Sequence, residues 1–133
     1  MSRLVWSDDL DLGVDEMNIQ HKILIQIMTD IGDASDKKAG RQTIINHLQR
    51  LEEGTIDHFQ KEEAYMEKIS FPDVSRHALI HKSLIKDLKT HISNFKNSQD
   101  EQIPEIFFNF LKMWLTAHIK GIDMKYAKHS KVA

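Results

Sequence analysis

The sequence predicts an all-α protein, an antiparallel up-down four-helix bundle with an extended N-terminal arm. Only two prolines and five glycines interrupt the 133 residues. β-Branched residues never gather into the alternating runs that mark strands. Four stretches repeat apolar residues at steps of three and four, the spacing of one helical face. Four such helices joined by short loops bury their apolar faces most simply as a bundle.

Residues 1–17 form the irregular arm, and the first helix is expected over about 18–36, with His21, Leu24, Ile25, Met28 and Ile31 on one face. The second spans about 41–69 and aligns Ile44, Leu48, Leu51, Thr55, His58, Glu62, Tyr65 and Ile69. Ser70-Phe71-Pro72-Asp73 reads as a turn, since proline stops one helix and a serine or aspartate can cap the next. The third helix, about 74–97, carries His77, His81, Leu84, Leu88 and Phe95. Asn97-Ser98-Gln99-Asp100 breaks the pattern, and a fourth helix over about 102–128 accepts Pro104 in its first turn. Its stripe is Phe107, Phe110, Leu111, Trp114, Leu115, His118 and Ile122.

The length fits one domain, 1–133, with a single core. Lysine and arginine number 18 against 20 acidic residues, which argues against a nucleic-acid surface or a polybasic membrane surface. No stretch has the apolar length of a membrane span or a signal peptide, and the expectation is a soluble cytoplasmic chain. Without cysteine, any metal must be held by nitrogen and oxygen. A monomer is expected, because the bundle uses up the apolar stripes.

Eight histidines stand out. Within the apolar stripes lie His21, His58 with Glu62, His77 with His81, and His118 with Asp123. Residues four apart share a helix face about 6 Å apart along the axis, so 58/62 and 77/81 each present two groups inward. His118 and Asp123 are five apart, roughly 140° around an ideal helix, which predicts a local π-type distortion near Ile119 to Ile122 or a carboxylate reaching around from the next face. Counting outward from each loop places all seven at one level of the bundle. His47 and His129 lie eleven residues from His58 and His118, about 16 Å of rise, and His91 is similarly remote from His81, so these three are given surface or core roles.

A lone histidine on an apolar face is ordinarily a hydrogen-bonded core residue. Five imidazoles and two carboxylates buried together compete for partners in a low dielectric, and a cation resolves the conflict. Glu63, Glu67, Glu52 and Glu53 read as a solvated face. Imidazole and carboxylate suit iron, with zinc, copper or nickel also chemically compatible. Seven ligands exceed the six positions of one octahedral ion. Two ions with both carboxylates and one solvent oxygen bridging leave a single open position, as a reversible small-molecule binder needs.

The pattern of His21, the His58-x-x-x-Glu62 and His77-x-x-x-His81 pairs and the His118-Ile119-Lys120-Gly121-Ile122-Asp123 segment resembles the hemerythrins, most closely their bacterial branch. The resemblance extends to Trp6, Gly13-Val14, His58-Phe59, Glu62-Glu63 and Trp114-Leu115, and Met17 departs from it, standing where a branched aliphatic residue is expected. It implies reversible binding of dioxygen for storage, transport or delivery, at two irons joined by an oxo or hydroxo bridge, and no enzymatic activity. His77, His81 and His118 are then implied to hold one iron, His21 and His58 the other, with Glu62 and Asp123 bridging. By analogy Leu24, Phe59, Leu115 and Ile119 line the oxygen pocket and exclude water. Three readings compete: a di-iron enzyme acting on oxygen, peroxide or nitric oxide, a sensor whose arm is read by a partner, and a structural zinc bundle. The histidine-rich ligand set, unlike the glutamate-rich set of di-iron oxygenases, favours oxygen binding.

Overall fold

The computed structural model describes residues 3–132, and Met1, Ser2 and Ala133 lie outside the described residues. α1 spans Asp15–Asp36, α2 Arg41–Lys68, α3 Val74–Asn97 and α4 Glu105–His118. A five-residue π turn, Ile119–Asp123, joins α4 to α5, Met124–Val132, so the fourth rod of the bundle is one helix with an insertion. Among the described residues there is no strand, and no helix is long and apolar enough to cross a membrane.

α1 begins at Asp15, ahead of the expected 18, because the arm is tied to it. The Gly13 N–H donates to Asp11 Oδ1 at 2.8 Å, Asn18 Nδ2 donates to the same oxygen at 2.7 Å, and the Leu12 N–H donates to Asn18 Oδ1 at 3.0 Å. Gly13 takes φ +72, which a side chain would resist, and Asp15 and Glu16 complement the positive end of the helix dipole. Further along the arm, Arg3 reaches Asp33 at 2.8 Å and Asp36 at 2.6 Å, while Lys22 lies 4.7 Å from the centre of the Trp6 ring. Met17, the departure from the family pattern, is fully buried.

Two helix ends turn through a residue at positive φ, Lys38 after α1 and Ser70 after α2. In each, an amide N–H reaches back five residues, Ala39 to the Ala34 oxygen and Phe71 to the Met66 oxygen, both at 2.9 Å. Asp73 stands at the N-cap of α3 as expected, but its side chain makes no capping hydrogen bond. The C-terminal carbonyls of α3 are satisfied from across the bundle: the Arg41 guanidinium donates to the Phe95 and Lys96 oxygens at 3.1 and 3.0 Å, and also to the Asp100 oxygen. α4 starts at Glu105, later than the expected 102. Gln102 and Ile103 are held outside the helix by Ser35, whose carbonyl and hydroxyl oxygens accept from Gln102 Nε2 and the Ile103 N–H at 2.9 Å each.

The core is continuous, with Leu12, Ile31, Ile44, Leu48, Leu51, Leu88, Phe108 and Leu111 all inaccessible or nearly so. Burying a side chain of this size contributes roughly 1.5–3 kcal/mol, so this apolar set supplies the stability that lets polar residues occupy other inward positions.

Candidate metal centre

The structure brings His21, His58, Glu62, His77, His81, His118 and Asp123 together, each 6% exposed or less. α1 supplies one, α2 two, α3 two, and the fourth rod two. The π turn explains the last pair. Its i to i+5 hydrogen bonding widens the turn, so residues five apart return to nearly the same face, and Asp123 Oδ1 lies 2.9 Å from His118 Nε2.

Each carboxylate divides its oxygens between two sets of imidazoles. Glu62 Oε1 lies 2.8 Å from His81 Nε2 and 3.4 Å from His77 Nε2, while Oε2 lies 3.2 Å from His58 Nε2 and 3.6 Å from His21 Nε2. Asp123 Oδ1 faces His118 and His77, at 2.9 and 3.1 Å, and Oδ2 faces His21 at 3.3 Å. The donor atoms accordingly form two groups that could each hold a metal ion: Glu62, His77, His81, His118 and Asp123 in one, His21, His58, Glu62 and Asp123 in the other. Both carboxylates belong to both groups.

The cluster is unsatisfied by the protein alone. Nε2 of His21, His58, His77 and His118 and both oxygens of Asp123 are buried with no hydrogen-bond partner. A buried polar group without a partner costs about 1–3 kcal/mol, and so many around one point leave room for a cation as the shared partner. The electrostatics agree. Burial opposes charge on His21 and His118, yet the neighbouring Asp123 and Glu62 outweigh it and push both up to about 9. His77 is raised in the same way. Burial works against the Glu62 carboxylate too, but His118, His21, His58 and His77 hold it well below the ordinary carboxylate range. Asp123 is also lowered: burial and Glu62 oppose its charge, and His118, His21 and His77 overcome them. Such a cluster attracts positive charge, and nitrogen with oxygen donors suits a first-row transition metal.

A sequence profile described as "Hemerythrin HHE cation binding domain" matches residues 12–129. The chain belongs to the hemerythrin family. It is 30% identical over 131 residues to the bacteriohemerythrin of Stenotrophomonas maltophilia, covering 98% of this chain and 84% of that protein. It is 29% identical over 125 residues to the myohemerythrin of Riftia pachyptila, covering 94% and 92%. A crystal structure of a hemerythrin carrying a leucine-to-alanine substitution superposes with a TM-score of 0.85 at 22% identity, covering 97% of this chain and 98% of that one, and so shares the fold.

Beyond the cluster, this hemerythrin-family chain holds residues that sequence reasoning missed. Glu63 is not simply part of a solvated face: its Oε2 lies 2.9 Å from His81 Nδ1. Gln20 Oε1 lies 2.5 Å from His58 Nδ1, and the Tyr126 hydroxyl donates to Glu62 Oε2 at 2.7 Å. Burial and the adjacent Glu62 and Asp123 push the Tyr126 phenol far upward, so it remains a donor. The doubled Glu62-Glu63 was the one available signal. The histidines set aside are elsewhere: His47 beside Arg50, His91 stacked on Phe110, and His129 against the Ile69 carbonyl.

A narrow, largely apolar crevice abuts the cluster and is lined by His21, His58, Phe59, Leu84, Trp114, Leu115 and His118. Phe59 and Leu115 were expected on this wall. Leu24 and Ile119 are buried in the core but are not on it, and Leu84 and Trp114 take those places. The Trp114 indole donates to the Leu84 carbonyl at 3.3 Å, closing the wall with its own polar group satisfied.

Proposed function

We propose that the chain binds dioxygen reversibly at two iron ions held by His21, His58, Glu62, His77, His81, His118 and Asp123. The observation that carries the reading is the division of both carboxylates, each with one oxygen toward each histidine set. Three histidines attend one position and two the other, so the second position has fewer protein donors to fill it. Two ferrous ions held by these residues would together supply two electrons to dioxygen and recover them on its release.

The protein's own part is to hold and to exclude. Glu62 and Asp123 fix the spacing of the two positions, and Tyr126 fixes the orientation of Glu62 through its hydrogen bond. The cavity is lined by His21 and His58 of the two-histidine side and by His118 of the other. Phe59, Leu84, Trp114 and Leu115 offer it no acid, so they keep protons and water from the bound gas. The cavity is too narrow to seat a water molecule, which makes side-chain movement at Leu115 and Trp114 part of gas entry.

The test is iron analysis of anaerobically loaded protein followed by dioxygen uptake and recovery. Two irons per chain and one dioxygen per pair, recovered as dioxygen on sparging, are expected. Consumption of dioxygen without recovery, or sustained turnover of peroxide or nitric oxide, would replace this reading with the enzyme.

A further inference from the structure

We propose that Glu63 and Gln20 are positioning residues that make the two halves of the centre unequal, so that the half built on His77, His81 and His118 favours the more highly charged ion. The inference rests on the dinuclear reading above and adds to it an order of oxidation.

All five histidines turn Nε2 toward the centre and leave Nδ1 facing out. Nδ1 of His21 and of His118 is buried without a partner. Among the described residues, only His81 and His58 are gripped from behind by another side chain, and the two grips differ in charge. The His81 Nδ1–H donates to a carboxylate, Glu63 Oε2, at 2.9 Å, and the His58 Nδ1–H donates to a neutral amide oxygen, Gln20 Oε1, at 2.5 Å.

An ionised acceptor makes a hydrogen bond roughly twice as strong as a neutral one. It also draws the Nδ1 proton outward and leaves Nε2 more electron-rich, which stabilises an ion of higher charge. Gln20 orients His58 equally well but adds no charge. Phe59 sharpens the contrast by stacking flat on His81, with ring centres 3.7 Å apart and planes 4° from parallel, so the His81 ring cannot swing away from Glu63. The three-histidine half therefore gives up its electron first when the ferrous pair is oxidised one electron at a time, the electron passing to the external oxidant.

The test uses the full iron-loaded chain in an anaerobic spectroelectrochemical cell, with the electrode as oxidant. Glu63→Gln keeps the hydrogen bond and removes the charge, and should move the first oxidation to a more positive potential while leaving the second nearly in place. Gln20→Glu should move the second to a more negative potential and narrow the gap. A role confined to holding the rings moves neither. Cobalt(II) titration of the metal-free chain gives a readout independent of iron: Glu63→Gln should weaken one of two binding steps by about tenfold. Unchanged potentials with an unchanged isotherm, or equal movement of both steps, overturns the inference. Iron-loaded protein that never releases dioxygen counts against the proposed function only, because the two potentials can still be read.

Discussion

At the scale of the residue, the centre is a set of bases and acids whose charges depend on one another. In the metal-free chain, His21 and His118 are raised to about 9 from an ordinary 6.5. Their contribution to stability is complete below about 6.5 and is lost as pH rises through about 9. Glu62 and Asp123 are lowered, so theirs is present above the ordinary carboxylate values and is lost as pH falls through their depressed ones. Urea melts of metal-free protein should therefore peak on the acid side of neutrality and weaken toward pH 9, whereas metal uptake should tighten over that same rise as protons leave the imidazoles. Flat stability from pH 6 to 9 contradicts this. Tyr126→Phe leaves a buried Glu62 oxygen short of a donor and should lower metal-free stability by about 1–3 kcal/mol in the same melts. Leu115→Ala opens the cavity wall, and the oxygenated form should then oxidise irreversibly several-fold faster in a timed spectrum; an unaltered rate removes Leu115 from that role.

At the scale of the element, the π turn carries the argument. Deleting Gly121 should convert Ile119–Asp123 to α-helical register and swing Asp123 by about 100°. The residue itself is expendable, since a Cβ there meets nothing within 4 Å. Iron content should fall below two per chain in the deletion, while Gly121→Ala keeps two and gains about 0.5–1 kcal/mol in a melt. Retention of two irons by the deletion would separate the turn from the site. This element also shows what the sequence makes legible. A spacing of four is intrinsic to the α-helix, so His58 with Glu62 and His77 with His81 could be paired without coordinates, and the misfit of a spacing of five announced the distortion. Gln20, Glu63 and Tyr126 could not be found that way, because each reaches its partner on another helix, through a rotation that local periodicity leaves free. The starts of α1 and α4 were displaced for a related reason: Asn18 ties α1 to the arm, and Ser35 holds Gln102 and Ile103 outside α4 from across the bundle.

At the scale of the molecule, the bundle is an apolar core that supports a polar one. The groups buried without partners come from all four rods, so metal uptake should stabilise the whole fold rather than one helix. Saturating iron at a hundredfold excess over Kd contributes about 2.7 kcal/mol per site, and the thermal midpoint should rise on loading and fall on chelation. Among the described residues, the large apolar ones left outside are Val5 in the arm, Ile19 and Ile23 one turn apart on α1, Leu79 on α3, and Ile106 and Met113 on α4; no element gathers more than two, and sedimentation should report the mass of a single chain. The central claim, reversible binding of dioxygen at two irons, is tested most directly by a visible spectrum of anaerobically loaded protein, recorded before air, in air, and after the air is removed. The account predicts a charge-transfer band that appears with air, disappears under vacuum and returns on a second admission. A band that never forms, or that gives way at once to a ferric spectrum that vacuum does not reverse, would contradict it.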